Sequence, residues 1–314
     1  MLFVALLGAC GPAPGMQPNP EFAADRPLLP GASSDALPPP TSPPEELPGV
    51  SSTGGLDDRE KLLWWKLVNQ LYAPCADQAV SVAQCVKEKR SCSTCVPGAD
   101  LLASRVKLGA TPADAEAAYA ARFGPNTKRV EIGTSPSRGS ERAPVTMVVW
   151  SDFQCPACGR AVPLLDDISR KLGEDLRLVH KFYPLSKHPR AFDAARAAWA
   201  AQQQGKYWEM EHALFANQEA LAITDLEAAA QKLGLDMNRF RADMQSDKAK
   251  EAIERDKADA DRNGMRGTPF IIINGREFDT AWFRIEEDLE PWVRLEAKLA
   301  RAAAQPAKVA APPN

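Results

Sequence analysis

The chain contains little histidine, no large excess of one charge and no long apolar run. Three histidines among 314 residues argue against a metal enzyme built on several histidine ligands. The formal net charge of −3 provides neither a basic field for nucleic acid nor a polybasic membrane patch. The apolar stretch at residues 2–9 is far shorter than the about 20 residues that cross a bilayer. Function must therefore be read from motifs rather than from bulk composition.

Seven cysteines and 27 prolines stand out against this background. Residues 1–9 are apolar and end in small residues, which predicts a secretory signal peptide. The segment Leu7–Cys10 resembles the lipobox of bacterial lipoproteins, and this resemblance implies a lipid on Cys10. The alternative is a short apolar leader with a chance cysteine.

Residues 10–56 are rich in Pro, Ser, Gly and Ala, and they predict a disordered tether that buries no core. We expect the chain to work in the periplasm of a bacterial cell envelope, held to the membrane by its lipid. Paired cysteines form disulfides and persist in such an oxidising compartment. A second disordered segment is predicted at residues 302–314.

Residues 57–126 predict a small all-helical module. Apolar residues at helical spacing follow Asp57-Asp58, a second helix is predicted over residues 77–89, and Thr111-Pro112 opens a third. The module holds four cysteines: Cys75, Cys85, Cys92 and Cys95. Their pattern allows two structural disulfides of unspecified pairing, a four-cysteine zinc site or a redox-active Cys92–Cys95 pair.

The third alternative draws on a local resemblance. Cys92-x-x-Cys95 with the segments 106–111 and 118–124 resembles the cysteine module of CcmH-type cytochrome c maturation proteins. This resemblance, over about 35 residues, implies a helical module whose cysteine pair reduces apocytochrome cysteines.

A second cysteine pair lies where a buried strand turns into a helix. The apolar run Val145–Trp150 predicts a central strand, and Cys155-Pro156-Ala157-Cys158 then opens a helical pattern. The first turn of a helix stabilises a thiolate, so Cys155 is the candidate nucleophile. Cys158 lies one turn deeper and is the candidate resolving partner. The alternatives are an inert disulfide or half of a zinc site. Further strands are predicted at residues 130–132 and 176–182.

A third motif joins this unit to a known family. Gly267-Thr268-Pro269 opens an apolar strand that ends at Asn274-Gly275. This motif and the strand–cysteine pair–helix unit together resemble the thioredoxin fold. Further motifs resemble the DsbA family of thiol:disulfide oxidoreductases, namely Phe153–Cys158, Tyr183-Pro184-Leu185, His188-Pro189, Gln204–Trp208, Leu214-Phe215 and Gly267–Pro269.

The resemblance implies an α/β fold over residues 127–301, thioredoxin-like, with a helical domain inserted at about residues 187–262. It also implies that Thr268 and a cis Pro269 border the disulfide and bind the client chain. No cofactor or metal is implied, because the cysteines carry the two electrons. The implied partners are cysteine-containing exported proteins and a membrane redox partner.

The active-site dipeptide Pro156-Ala157 lacks the histidine found in the strongest oxidants of the family. Val149 likewise stands where some relatives carry a buried acid. We therefore expect the helix alone to lower the pKa of Cys155, and a less oxidising potential than theirs. Asp152 is expected to lie on a different side of the strand. The three histidines are expected to be structural or at the surface: His180, His188 and His212.

Two other functions are compatible with these residues. One is a reductase or isomerase for a dedicated client such as apocytochrome c, with Cys92 and Cys95 relaying electrons to or from Cys155. The other is a thioredoxin-fold chaperone or binding module without redox turnover.

Overall fold

The computed structural model describes residues 42–304, within which there are eleven α-helices and five strands. The helices are α1 (Asp58–Gln70), α2 (Val82–Lys87), α3 (Cys95–Lys107), α4 (Pro112–Phe123), α5 (Pro156–Leu172), α6 (Ala191–Gln202), α7 (Tyr207–Ala216), α8 (Ile223–Lys232), α9 (Met237–Gln245), α10 (Asp247–Arg262) and α11 (Ile285–Ala304). The strands are β1 (Ser137–Arg138), β2 (Val145–Ser151), β3 (Leu176–Phe182), β4 (Phe270–Ile273) and β5 (Arg276–Glu277). The predicted signal peptide, Cys10, the tether up to residue 41 and the tail beyond residue 304 lie outside the described residues.

One mixed sheet carries the strands in the order β1-β3-β2-β4-β5. The central pair β2 and β3 is parallel, with Val148 opposite Val179, and the other pairs are antiparallel. Alternate residues of β2 enter different cores. Met147 and Val149 pack with α5 and α11, whereas Trp150 packs on the other face with α10. A strand covered on both faces reads as a continuous apolar run, as the sequence analysis expected.

Helices α6 to α10 lie between β3 and β4 and form the predicted helical insertion. Their core includes Tyr207 and Phe215, with Trp199 and Trp208 packed against it, so these aromatic residues fill the insertion. The last of these helices, α10, begins after Ser246, which caps it by accepting a hydrogen bond from the Ala249 N–H.

Three local predictions are wrong. Residues 130–132 form no strand, and β1 occupies that edge of the sheet instead. Val130 and Ile132 are apolar because they pack against the cluster that contains Trp150. Helix α2 is shorter than residues 77–89, since Ser81 caps it from within that range. Residues 224–227 have the sequence of a capping box that would begin a helix at Thr224, but α8 has Ala222 as its N-cap, and Asp225 accepts from the Ala222 N–H.

The predicted tether is too long. Residues 42–56 pack on the helical module, where Leu47 and Leu56 are buried in its core. The Asp100 carboxylate accepts hydrogen bonds from the N–H groups of Ser51 and Ser52. The proline-rich composition obscured the two leucines that anchor this segment in the core.

The helical module contacts the thioredoxin-like part through α11. Arg105 donates to the Asp288 carboxylate and to the Trp282 carbonyl oxygen. Arg122 is buried, pairs with Glu296 and lies 4.1 Å from the centroid of the Trp292 ring. Two buried arginines of the module, Arg105 on α3 and Arg122 on α4, therefore join it to α11 of the thioredoxin-like part.

Candidate active site

Cys155 lies at the junction between β2 and α5. The strand ends at Ser151, and the Cys155 N–H then donates to the Asp152 carbonyl oxygen at 3.0 Å. Pro156 occupies the first helical position, where its missing N–H costs no hydrogen bond. Cys158 follows within the first turn of α5. The structure therefore places both predicted cysteines at the strand-to-helix turn.

The two cysteines are free thiols in different environments. Cys155 is 8% exposed and Cys158 is 1% exposed. A hydrogen bond with the Cys158 side chain is the main cause that lowers the pKa of Cys155 to about 5, with burial opposing it. Burial raises the pKa of Cys158 well above its usual range. At neutral pH the pair therefore consists of one thiolate and one buried thiol.

The expectation that the helix alone lowers the pKa of Cys155 is wrong. The backbone N–H groups of Ala157 and Cys158 do contribute, as the helix argument requires. The Cys158 thiol contributes more, because a spacing of three residues brings it within hydrogen-bond range.

The predicted loop with Pro269 lies beside the cysteines. The Thr268–Pro269 peptide bond is cis, and the Cys155 Sγ is 3.6 Å from the Thr268 carbonyl oxygen. Ala157, Thr268 and Pro269 line one side of a cavity of about 610 Å³ that also contacts Phe278 and Phe283. Thr268, which lies next to the Cys155 sulfur, is therefore also part of the cavity wall.

The Asp152 side chain anchors the backbone of the loop before Cys155. Its buried carboxylate accepts hydrogen bonds from the N–H groups of Gln154 at 2.7 Å and Leu185 at 2.8 Å, and His188 Nδ1 lies 2.7 Å from it. Asp152 follows the last residue of β2, so its side chain anchors the loop rather than the strand. His188 serves this anchor and has a structural role.

The other two histidines lie apart from the cysteine pair. His180 is buried against Phe153 with a ring-centroid distance of 5.8 Å, and the Tyr207 hydroxyl lies 2.5 Å from its Nδ1. Burial lowers the pKa of His180 to about 3, so the ring is neutral at physiological pH. His212 is exposed and pairs with Asp166. Both placements agree with structural or surface roles.

Gln218 is a site residue that the sequence analysis missed. It lies between α7 and α8, and its Nε2 donates to the carbonyl oxygens of Phe153 at 2.8 Å and Cys155 at 2.9 Å. A Cβ at Gly159 would lie 2.4 Å from the Gln218 Oε1, so glycine is needed there for the amide to reach the loop. The helical insertion thus fixes the backbone of the nucleophile. No local motif signals this contact, since it joins residues 63 positions apart.

We expect Gln218→Ala to lower the free energy of unfolding by about 1–3 kcal/mol, because two hydrogen bonds are lost. It should also move the alkylation midpoint of Cys155 to higher pH. Gln218 holds the backbone at Phe153 and Cys155, and this backbone sets the position of the thiolate relative to the N–H groups of α5. Urea unfolding and iodoacetamide kinetics measure the two effects. Gln204→Ala is the matched control, since Gln204 makes two hydrogen bonds to Asp236 within the insertion. Equal alkylation profiles for the two variants would contradict the positioning role.

The reduced protein should react with iodoacetamide at a rate that rises through about pH 5 and then levels off. An ordinary thiol would continue to gain reactivity up to about pH 8.5. The pKa of Cys155 is lower in the folded protein than in the unfolded chain, so the thiolate stabilises the reduced fold fully above about pH 8.5. This contribution to the free energy of unfolding is lost as the pH falls to about 5. Cys155→Ser should remove the fast phase. A rate that keeps increasing to pH 8 would disprove the low pKa.

A family model described as thioredoxin matches residues 131–290, about half of the chain, including both cysteines, the helical insertion and Pro269. Curated relatives include the Na⁺/H⁺ antiporter NhaA 1 of Mycolicibacterium gilvum, which is 39% identical over 148 residues, covering 46% of this chain and 24% of that protein. The chain thus spans about a quarter of the length of the curated relatives it matches. Among residues 42–304, no helix is both long enough and apolar enough to span a membrane.

Solved structures that are similar to the chain include the following two. A thioredoxin-like oxidoreductase from Silicibacter pomeroyi superposes with a TM-score of 0.48 and 29% identity, covering 52% of this chain and 92% of that one. BdbD from Bacillus subtilis superposes with a TM-score of 0.47 and 19% identity, covering 55% of this chain and 98% of that one.

Proposed function

Because the chain belongs to the thioredoxin family, we propose that it is a thiol:disulfide oxidoreductase that exchanges a Cys155–Cys158 disulfide with cysteines of client proteins. The fold predicted from the sequence, thioredoxin-like with a helical insertion, is confirmed. The observation that carries the proposal is the asymmetry of the pair. One thiol has a pKa of about 5 and lies 3.6 Å from the carbonyl oxygen of Thr268, which lines the cavity, whereas its partner is buried with a raised pKa.

The asymmetry assigns a role to each sulfur. In the oxidising direction a client thiolate attacks the Cys155 Sγ of the disulfide, a client–Cys155 disulfide forms, and Cys158 leaves and takes up a proton. A second client thiolate then attacks the client sulfur of this mixed disulfide, and Cys155 leaves as a thiolate. The client loses two electrons and the pair gains them. The low pKa of Cys155 makes it a good leaving group in the second step.

Client binding is proposed in the cavity beside Thr268 and Pro269. The Thr268 carbonyl oxygen can accept a hydrogen bond from a client N–H, and the partly exposed Ala157 and Pro269 offer apolar contact. No cofactor takes part, because the sulfur atoms carry the electrons. The proposal includes a membrane redox partner that reoxidises the Cys155–Cys158 pair.

We also propose that the chain works in the periplasm, anchored through Cys10. Two disulfides in the helical module support an oxidising compartment, Cys75–Cys92 and Cys85–Cys95. This pairing corresponds to the first alternative for the four cysteines, and it gives Cys92 and Cys95 different partners. A reductase or isomerase that uses Cys92 and Cys95 as a relay is the second candidate.

Exchange with a two-cysteine peptide tests the function. The purified chain should speed both peptide oxidation in a glutathione buffer and the reverse reduction. Cys155→Ala should lower both rates to the uncatalysed background, a loss of at least about 100-fold. Urea unfolding shows whether the variant is folded. A folded Cys155→Ala protein that matches the wild-type rate would instead support a chaperone or binding module.

A further inference from the structure

The four-cysteine cluster brings two disulfides into contact. The Sγ atoms of Cys85, Cys92 and Cys95 all lie within 4.8 Å of one another. Cys85 and Cys95 form one disulfide, whereas Cys92 belongs to the other with Cys75. A thiolate released at Cys92 would therefore lie next to both sulfurs of an intact disulfide.

Access to the cluster is graded. Cys75 is half-buried, and the other three cysteines are buried, with Cys92 at 6%, Cys95 at 2% and Cys85 at 1% exposure. An external thiolate can thus approach the Cys75–Cys92 disulfide at Cys75. The Cys85–Cys95 disulfide is reached from inside the protein, through Cys92.

Thr94 is placed to assist the leaving sulfur. Its hydroxyl oxygen is 3.3 Å from the Cys92 Sγ and 3.5 Å from the Cys75 Sγ. Thr94 precedes the first residue of α3, yet its side chain makes no capping hydrogen bond to the helix. The hydroxyl is therefore directed at the disulfide, where it can donate to a Cys92 thiolate.

We propose that the four-cysteine cluster is a second thiol–disulfide exchange site, which accepts electrons from an external dithiol at Cys75 and passes them inward. A thiolate of the dithiol attacks the Cys75 Sγ, a mixed disulfide forms there, and Cys92 leaves as a thiolate. Cys92 then attacks the Cys95 Sγ, a Cys92–Cys95 disulfide forms, and Cys85 leaves and takes up a proton.

The second thiolate of the dithiol closes the cycle. It attacks the dithiol's own sulfur in the mixed disulfide, and Cys75 is released. The dithiol loses two electrons, and the cluster ends with one disulfide and two reduced cysteines, so the electrons balance. The Cys92–Cys95 pair singled out in the sequence is then the product of the exchange rather than its starting state.

A variant with one released thiol tests the inward step without Cys155 and Cys158. In Cys75→Ser/Cys155→Ser/Cys158→Ser, the cluster retains three cysteines, and the free one is located by alkylation and peptide mass spectrometry. We expect the label to spread from Cys92 to Cys85 or Cys95, with a rate that rises about tenfold per pH unit below the thiol pKa. Thr94→Val, which lacks the hydroxyl, should slow this transfer. A label that stays on Cys92 at every pH and time would overturn the proposal.

The matched control places Cys92→Ser in the same Cys155→Ser/Cys158→Ser background. It releases Cys75, which lies outside the group of three close sulfurs, so the label should remain on Cys75. If the Cys75→Ser/Cys155→Ser/Cys158→Ser variant does not fold, the Cys155→Ser/Cys158→Ser protein is partially reduced with dithiothreitol and its free cysteines are located in the same way. Labels on Cys75 and Cys85 with a Cys92–Cys95 disulfide support the exchange, and labels confined to Cys75 and Cys92 overturn it. Neither result depends on the function proposed for Cys155.

Discussion

A Cys158→Ser variant is expected to accumulate mixed disulfides between Cys155 and cysteine-containing proteins. In the reducing direction Cys158 is the thiol that displaces the client from Cys155, and it is buried within hydrogen-bond range of that sulfur. Serine at this position cannot form the intramolecular disulfide, so the covalent complex persists. The complexes should change from a trace in the wild type to the main form of the variant on non-reducing gels, and mass spectrometry should locate them at Cys155.

Cys155→Ser is the matched control, since it removes the attacking sulfur and keeps the buried one. It should trap nothing, because Cys158 is 1% exposed and its pKa is raised. Trapping through Cys158, or equal trapping by the two variants, would reverse the roles assigned to the pair. The clients captured by Cys158→Ser would also show whether apocytochromes are among them.

The sequence predicted the parts of the site that depend on neighbouring residues. The run before Cys155 was identified as a strand because both faces of β2 are buried, and the positions of Cys155 and Cys158 follow from it. The cis Pro269 was identified by resemblance, and the structure places it beside Cys155. These features are encoded within a few residues of the motif that reveals them.

The remaining features depend on contacts between distant residues. The pairing of Cys75 with Cys92 rather than with Cys85 depends on how α2 and α3 pack. The Gln218 contact requires that the insertion fold back on the loop before α5, and nothing near residue 218 indicates this. The packing of residues 42–56 was hidden by proline-rich composition, although Leu47 and Leu56 are the residues that hold it.

The insertion supports the active site from two sides. Gln218 holds the Phe153 and Cys155 carbonyl oxygens, while Asp256 on α10 accepts a hydrogen bond from the Phe182 N–H at the end of β3. The chain continues from Phe182 to Leu185, whose N–H donates to the Asp152 carboxylate below the cysteine loop. Loss of Asp256 would thus loosen a chain of contacts that ends at the active site.

Asp256→Ala is expected to lower the free energy of unfolding by about 3 kcal/mol, the cost of breaking a buried ion pair. Lys181 is 3% exposed, and its Nζ lies 3.0 Å from carboxylate oxygens of both Asp256 and Asp259. The variant leaves the buried ammonium with one carboxylate and leaves the Phe182 N–H without its acceptor. Asp259 still offsets part of the Lys181 charge, so we expect a loss of stability at the lower end of the range for broken buried ion pairs. Urea unfolding measures it.

Glu254→Ala is the control on the same helix, because Glu254 is exposed and its Lys257 partner lies 3.6 Å away. It should change the free energy of unfolding by less than about 0.5 kcal/mol. Adding Lys181→Met to Asp256→Ala should recover part of the loss, since the unpaired buried charge is then removed. If the double variant is as unstable as the sum of the single ones, the cost arises from the Phe182 N–H and helix packing, and the ion pair contributes little.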